Sequence, residues 1–187
     1  EGTTTETDLK IDVQYEISRW PQETRKPLDS DASRTNNPTY FLGSDKNVPL
    51  IPLFGKIAAR VTTPQMSDEA KIRALYDHVV SSMRYDKTGV GWGNGDAVWA
   101  CLNKRGNCTD FHSLFIGLSR SLKIPARFLI GLPLPAEMES GEIPGYHCWA
   151  EAYSKALGWI PVDASEAKKH NSRDSYFGQL PPDRIEF

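Results

Sequence analysis

The chain has 187 residues and carries 22 Lys and Arg against 24 Asp and Glu, a formal net charge of −2. That length fits one compact domain, and 10% aromatic residues with five Trp can fill a core, which argues against a disordered chain. The near-zero charge gives no support for a nucleic-acid or anionic-membrane partner, and no apolar run reaches the roughly 20 residues that cross a bilayer.

The first fifty residues carry one clear element. Alternation of apolar and polar residues over residues 9–17 predicts a strand with one buried face. Residues 20–49 are rich in Pro, Asn, Asp and Ser, which predicts an irregular connection with one short strand at residues 39–42. We therefore expect residues 1–50 to pack on a core formed by residues 51–187.

Helices dominate the next stretch. Residues 54–61 are predicted to be helical, and Ser67 has the residue type of an N-cap for a stronger helix. That helix has one apolar stripe, formed by Ile72, Leu75, Tyr76, Val79, Val80 and Met83. A glycine-rich loop at residues 87–95 and a short helix at residues 97–102 follow, and Gly106 is expected to end that turn.

The C-terminal half alternates one more helix with strands. Apolar residues at helical spacing predict a helix that begins near Cys108 and stops before Pro125. Strands are predicted at residues 127–132, 147–153 and 159–162, and the loop before the second of them contains Glu137, Glu139 and Glu142. Helices followed by strands favour an α+β fold with an antiparallel sheet packed on helices.

Three Cys are an odd number, so at least one thiol is left unpaired within the chain. Cys108 follows a Gly-Asn break at the start of a predicted helix, where free N–H groups and the helix dipole favour a thiolate. Cys101 lies inside a short helix, and Cys148 lies on a strand with its side chain on the face opposite His147. Cys108 is therefore the predicted nucleophile, with a small buried hydrophobe as the alternative reading. Cys101 and Cys148 are then either free or paired with each other.

A nucleophilic thiol needs a base and a group that orients the base. Of the four His, His147 stands on a strand that can face a helix end across a groove. His112 lies one turn beyond Cys108 on the same helix, with no group in the sequence to fix its tautomer. Asp163 closes the next predicted strand, where it can orient His147, cap the following turn, or do both.

Three stretches of the chain resemble the transglutaminase-like superfamily: RGNCTDFHSLFIGLSRSLKIPAR, GYHCWAEAY and GWIPVDAS. They occur in family order between about residues 67 and 165. The shared positions beyond the three site residues are Asp110, Phe111, Pro125, Arg127, Trp149 and Trp159. The strings GWGNGDA and FGQLPPDR are most similar to bacterial members that are described as candidate cysteine proteases.

The resemblance implies a papain-like transglutaminase core, in which a Cys-bearing catalytic helix packs against an antiparallel sheet. It implies Cys108 as nucleophile, His147 as general acid and base, and Asp163 as the orienting carboxylate. Such relatives continue beyond this point, so residues 51–187 are expected to be a core truncated at its C-terminus. Animal members use an upstream Trp at the oxyanion; Trp92 and Trp99 are the candidates here, and neither aligns clearly.

The expected activity is hydrolysis of peptide or amide bonds through a thioester, on a peptide or protein substrate and without a cofactor. A protein-glutamine transglutaminase or deamidase is the alternative, and a non-catalytic binding module of the same fold is a second. A metal site built from Cys and His residues is disfavoured, because no CxxC or HExxH spacing occurs. The resemblance also implies export, and a start at Glu1 without an initiator Met agrees with a removed signal peptide. A trimmed piece of a longer protein would begin in the same way.

The acidic loop directly precedes His147, and we interpret it as a rim over the cleft that disfavours acidic substrates. A solvated surface loop is the alternative. The alternating glycines of residues 89–95 are not followed by a GK[ST] motif, so they are not expected to bind phosphate. They are expected to let the backbone run close to the helix of Cys108, with Trp92 packing there or lining a groove.

Overall fold

The computed structural model describes residues 16–18, 20–23, 37–134, 140–143 and 145–187. The strand predicted at residues 9–17 lies largely outside these ranges; Glu16 and Ile17 are described, and both are exposed and irregular. Glu137 and Glu139 of the acidic loop also lie outside the described residues. Within the described ranges, no helix is long and apolar enough to span a membrane.

The described residues form five α-helices, and the first four begin close to the predicted positions. They are α1 (Pro52–Val61), α2 (Asp68–Ser82), α3 (Ala97–Asn103), α4 (Cys108–Ser121) and α5 (Ala164–His170). Ser67 caps α2, with its hydroxyl oxygen accepting from the Ala70 N–H at 3.2 Å. The apolar stripe of α2 faces the core, because Ile72, Leu75 and Val79 are fully buried.

Eight short or medium strands occur in the same ranges. They are β1 (Gln22–Glu23), β2 (Arg84–Tyr85), β3 (Arg105–Gly106), β4 (Ala126–Pro133), β5 (His147–Ser154), β6 (Gly158–Val162), β7 (Gln179–Leu180) and β8 (Arg184–Glu186). The main sheet has the order β6-β5-β4-β8, and every neighbouring pair in it is antiparallel. β1 pairs with β7, and β2 pairs in parallel with β3, both outside this sheet.

Helix α4 lies between the sheet and the other helices. It contacts β4 and β5 of the sheet and also α1, α2 and α3. Nearly every residue of the helix from Cys108 to Arg120 is therefore buried. Phe111, Phe115 and Leu118 are fully buried in the core that these elements share. A helix that bears Cys108 thus packs on an antiparallel sheet, and the predicted α+β fold class is confirmed.

The strand predicted at residues 39–42 is wrong. The structure has a 3₁₀ helix there, Pro38–Leu42. Pro38 stands at the first helical position, where its fixed φ is already suitable. The side chain of Asn37 accepts from the Thr39 N–H at 3.1 Å, and this local cap outweighs the strand preference of the aromatic pair that follows.

Helix α3 ends at Asn103 with Lys104 as its C-cap, so Gly106 does not end it as expected. Lys104 adopts a left-handed conformation with φ of +53°, and its N–H bonds the Ala100 carbonyl. Gly106 lies two residues after Lys104, in β3, and directly precedes Asn107, the N-cap of α4.

Candidate active site

Helix α4 begins at a capping box that holds Cys108 in place. The Asn107 Oδ1 atom accepts from the N–H groups of Thr109 at 3.0 Å and Asp110 at 3.4 Å, and the Asp110 carboxylate accepts from the Asn107 N–H at 3.0 Å. Gly106 permits this arrangement, because a Cβ at its φ of +150° would lie 2.3 Å from the Asp110 carboxylate. Cys108 is therefore the first residue of α4, where orphan N–H groups and the helix dipole favour an anion.

The glycine-rich loop is attached to the same helix through Asp110. Its carboxylate accepts from the Gly93 N–H at 2.7 Å and from the Gly95 N–H at 3.2 Å. The loop therefore runs against the N-terminus of α4, as its glycines led us to expect. Trp92, which is partly buried, lines the same cleft as Cys108.

The structure brings the three predicted site residues together. His147 is the first residue of β5, and Asp163 directly follows β6, which pairs with β5 in the register that joins Ala150 to Val162. The His147 Nε2 atom lies 2.6 Å from Asp163 Oδ2. Since Nε2 is bound to the carboxylate, Nδ1 is the ring nitrogen left for the Cys108 thiol, and both side chains line the same cleft.

Asp163 has the two functions that its position in the sequence suggested. Its Oδ1 atom caps α5 by accepting from the Glu166 N–H at 2.9 Å, and it also accepts from the Ser165 hydroxyl at 2.9 Å. Its Oδ2 atom accepts from His147 and from the Arg184 guanidinium, each at 2.6 Å. Burial opposes ionisation, but these positive neighbours hold the pKa of Asp163 well below its usual range.

The surroundings of the Cys108 thiol favour its ionised form. Hydrogen bonds from the Cys148 thiol and the His147 imidazole, together with the positive charge of His147, lower the pKa of Cys108 far below that of an ordinary thiol. Burial of the side chain, which is 5% exposed, opposes this shift but does not cancel it. The anion is thereby favoured at Cys108, while burial and the neighbouring anion raise the pKa of Cys148.

His147 is the positive partner of that anion. Burial alone would lower the pKa of its imidazole, but the Asp163 carboxylate and the Cys108 sulfur outweigh burial and raise the pKa to about 9. At neutral pH the two side chains are therefore a thiolate and an imidazolium. A paired nucleophile and proton donor of this kind can carry out acyl transfer.

His112 is a neutral imidazole with a fixed tautomer. Its Nδ1 atom lies 2.7 Å from the Cys108 carbonyl oxygen, and its Nε2 atom accepts from the Ala164 N–H at 3.1 Å. Because the carbonyl can only accept and the N–H can only donate, Nδ1 carries the proton and Nε2 does not. Burial lowers the pKa of His112 despite the nearby Asp163 carboxylate, which agrees with this assignment.

None of the three cysteines is in a disulfide. The pairing of Cys101 with Cys148 that the sequence left open is therefore not present. Cys148 contacts helix α4 instead, with its sulfur 3.7 Å from the Thr109 hydroxyl and 4.0 Å from His112 Nδ1. The described residues contain no group of three or more Cys, His, Asp or Glu side chains placed to hold a metal ion.

A cleft of about 460 Å³ opens at the Cys108 sulfur. Its charged lining residues have both signs: Lys87, Lys169, Arg184, Glu166 and Asp183. Aromatic side chains of Tyr85, Trp92 and Tyr146 line it as well. Gly145 and Tyr146, at the end of the acidic loop, contribute to the wall, so this end of the loop borders the cleft.

Arg184 is the site residue that the sequence analysis missed. It lies on β8, is 2% exposed, and bonds Asp163 through Nη1 and Asp183 through Nε at 2.8 Å. Its guanidinium carbon also lies 5.2 Å from the ring centroid of Trp149. No local pattern marks such a residue, because its function depends on β8 pairing with β4 far away in the chain.

Residues 55–164 match the sequence profile of the transglutaminase-like superfamily. An uncharacterized protein of Haemophilus influenzae is 30% identical over 133 residues, which cover 61% of this chain and 35% of that protein. A candidate cysteine protease from Cytophaga hutchinsonii superposes with a TM-score of 0.59 at 22% identity, over 87% of this chain and 51% of the other.

The periplasmic domain of TgpA from Pseudomonas aeruginosa superposes with a TM-score of 0.53 at 18% identity, over 76% of this chain and 52% of that one. The chain therefore spans about a third of the curated relative and about half of each solved chain. At these identities, the two superpositions show that the fold is shared.

Proposed function

The chain belongs to the transglutaminase-like superfamily, and we propose that it is a cysteine-dependent acyl-transfer enzyme that hydrolyses peptide or amide bonds. The observation that supports the proposal best is that the Cys108 thiol and the His147 imidazole line one cleft, while the His147 Nε2 atom lies 2.6 Å from Asp163 Oδ2. Cys108 is the nucleophile, His147 the general acid and base, and Asp163 the group that orients the imidazole.

In the first step the Cys108 thiolate attacks the carbonyl carbon of the amide, and the carbonyl electron pair moves to oxygen. The backbone N–H of Cys108, at the start of α4, donates to that oxyanion, because no described residue accepts from it. The oxyanion then collapses, the C–N bond breaks, and the His147 imidazolium gives its proton to the departing amine. A thioester on Cys108 and a neutral His147 remain.

In the second step neutral His147 takes a proton from water, and the hydroxide attacks the thioester. The C–S bond breaks, the carboxylic acid product leaves, and the thiolate–imidazolium pair is restored. An amine in place of water would give a transglutaminase by the same steps. Water is the default acceptor at a cleft open to solvent, so we favour hydrolysis.

The fold is also that of a periplasmic domain. We therefore propose that the enzyme works outside the cytoplasm. Fractionation of cells that produce the full-length protein tests this, and recovery in the cytoplasm would contradict it.

Replacing the nucleophile tests the proposed activity. Cys108→Ala should abolish cleavage of a peptide library and labelling by iodoacetamide at mildly acidic pH, because the other two thiols have raised pKa values. The matched control Cys101→Ala should keep both. The products, analysed by mass spectrometry with and without an added amine, distinguish hydrolysis from amine transfer.

Full activity in Cys108→Ala would show that the nucleophile is assigned wrongly. A parent protein that neither cleaves, transfers nor alkylates rapidly would favour the non-catalytic binding module.

A further inference from the structure

We propose that Asn107 is the second donor to the oxyanion, acting beside the backbone N–H of Cys108. The inference rests on the proposed function, because it assigns one more catalytic residue to the same reaction. It concerns the side-chain amide nitrogen of Asn107, whose orientation the structure fixes.

The amide of Asn107 can be oriented in one way only. Its oxygen accepts from two backbone N–H groups, those of Thr109 and Asp110. An amide NH₂ in that place would meet two donors and lose both bonds, so the capping role forces the oxygen toward the helix. The two N–H bonds of Nδ2 therefore point away from the helix backbone.

Nδ2 is an unused donor in a buried side chain. Asn107 is only 6% exposed, yet Nδ2 has no acceptor among the described residues. The atom lies beside Gly93, where a Cβ would come within 3.3 Å of it, and Asn107 lines the cleft together with Cys108. A donor without a protein acceptor, on a side chain that lines the cleft of the reacting thiol, is suited to a negative oxygen that forms there.

The other candidates for this function are already bonded. The Trp92 indole N–H donates to the Gly89 carbonyl at 3.2 Å. Trp99 packs instead against Gly91 and under the Arg105 guanidinium, 5.5 Å from its ring centroid.

Tyr85 also lines the cleft, but its ring lies under the ammonium group of Lys169, 4.2 Å from the ring centroid. Asn107 directly precedes Cys108, and its two capping hydrogen bonds hold its amide at the start of α4.

The decisive variant is Asn107→Ser. Ser caps helices about as well as Asn, but its hydroxyl is occupied in doing so and is too short to replace Nδ2. The test compares two reactions of the same thiolate: acetylation by 4-nitrophenyl acetate, which passes through an oxyanion, and alkylation by iodoacetamide, which does not. We expect acetylation to slow by about 10²–10³-fold while alkylation and the melting temperature stay unchanged.

Asn103→Ser is the matched control, because Asn103 is an exposed residue at the end of α3 that bonds only the Trp99 carbonyl. It should leave the ratio of the two rates unchanged. Asn107→Asp serves if the Ser variant folds poorly, since it keeps the cap and the shape but replaces the donor with an acceptor. The ratio of the two rates corrects for any effect of its charge on the thiolate.

An unchanged ratio in Asn107→Ser, or an equal fall in both rates, would overturn the inference, because Asn107 would then act only on the helix or the thiolate. Slow alkylation of Cys108 in the parent would instead overturn the proposed function itself. The two failures are therefore distinguishable in one experiment.

Discussion

His112 and His147 lie around the same carboxylate, that of Asp163, and yet carry different charges. His112 is held between a carbonyl and an N–H, so it has one proton and no place for a second. His147 lies between two groups that favour the cation, Asp163 and the Cys108 sulfur. Burial keeps His112 neutral, whereas the neighbours of His147 outweigh burial, so only His147 can move a proton.

This difference predicts the pH dependence of amide hydrolysis. His147 must be protonated to serve the leaving amine, so activity should fall as the pH rises through its pKa of about 9. Asp163→Asn keeps the cap of α5 but removes the charge that raises this pKa, so the alkaline limb of kcat/KM should move to lower pH. The rate near neutral pH should fall on the order of 10²–10⁴-fold.

A profile of Asp163→Asn in which the alkaline limb stays near pH 9 would show that Asp163 does not set the charge of His147. Asp183→Asn is a suitable control, because Asp183 bonds Arg184 and does not touch the imidazole.

Residue types and their positions were enough to predict that Cys108, His147 and Asp163 lie close together, because each stands at the end of a recognisable element. They were not enough for Cys148, which alternation places on the opposite strand face from His147. Cys148 nevertheless contacts the start of α4, with its sulfur 3.7 Å from the Thr109 hydroxyl. Such contacts depend on how the helix end meets the strand end, which no local pattern contains.

Elements with strong periodicity were predictable, and short ones were not. The apolar stripe of α2 repeats often enough to be read from the sequence, and β5 and β6 are strand-like segments with a turn between them. The two-residue strands β2 and β3 have no pattern of their own and form because Arg84 and Arg105 become neighbours in space. The 3₁₀ helix at Pro38–Leu42 is also too short for a periodic pattern, and its conformation depends on the local cap by Asn37.

The pairing of β4 with β5 includes a buried ion pair whose loss is measurable. Arg127 and Glu151 stand opposite each other, with Nη2 and Oε2 2.6 Å apart, and the guanidinium carbon lies 4.3 Å from the ring centroid of Trp159. Glu151→Leu would leave a buried guanidinium without this carboxylate. We expect the free energy of unfolding in urea to fall by about 3–5 kcal/mol.

The double variant Arg127→Met with Glu151→Leu removes both charges and should recover most of that loss. If Glu151→Leu alone costs less than about 1 kcal/mol, the pair does not hold these strands together.

Across the whole molecule, four segments that are far apart in the chain converge on one cleft. Cys108 stands at the start of α4 and His147 at the start of β5. Asp163 directly follows β6, and Arg184 lies on β8. The cleft carries both signs of charge, in line with the overall charge of −2, so its field does not select a polyanionic substrate.

The most direct test of the central claim is to trap the thioester. The parent protein, mixed with 4-nitrophenyl acetate and quenched rapidly in acid, should carry one acetyl group on the peptide that contains Cys108, as read by peptide-mapping mass spectrometry. Cys108→Ala should carry none on any thiol. Acetylation of Cys101 or Cys148 instead, or no acetylated thiol in the parent, would contradict the assignment of Cys108 as the nucleophile.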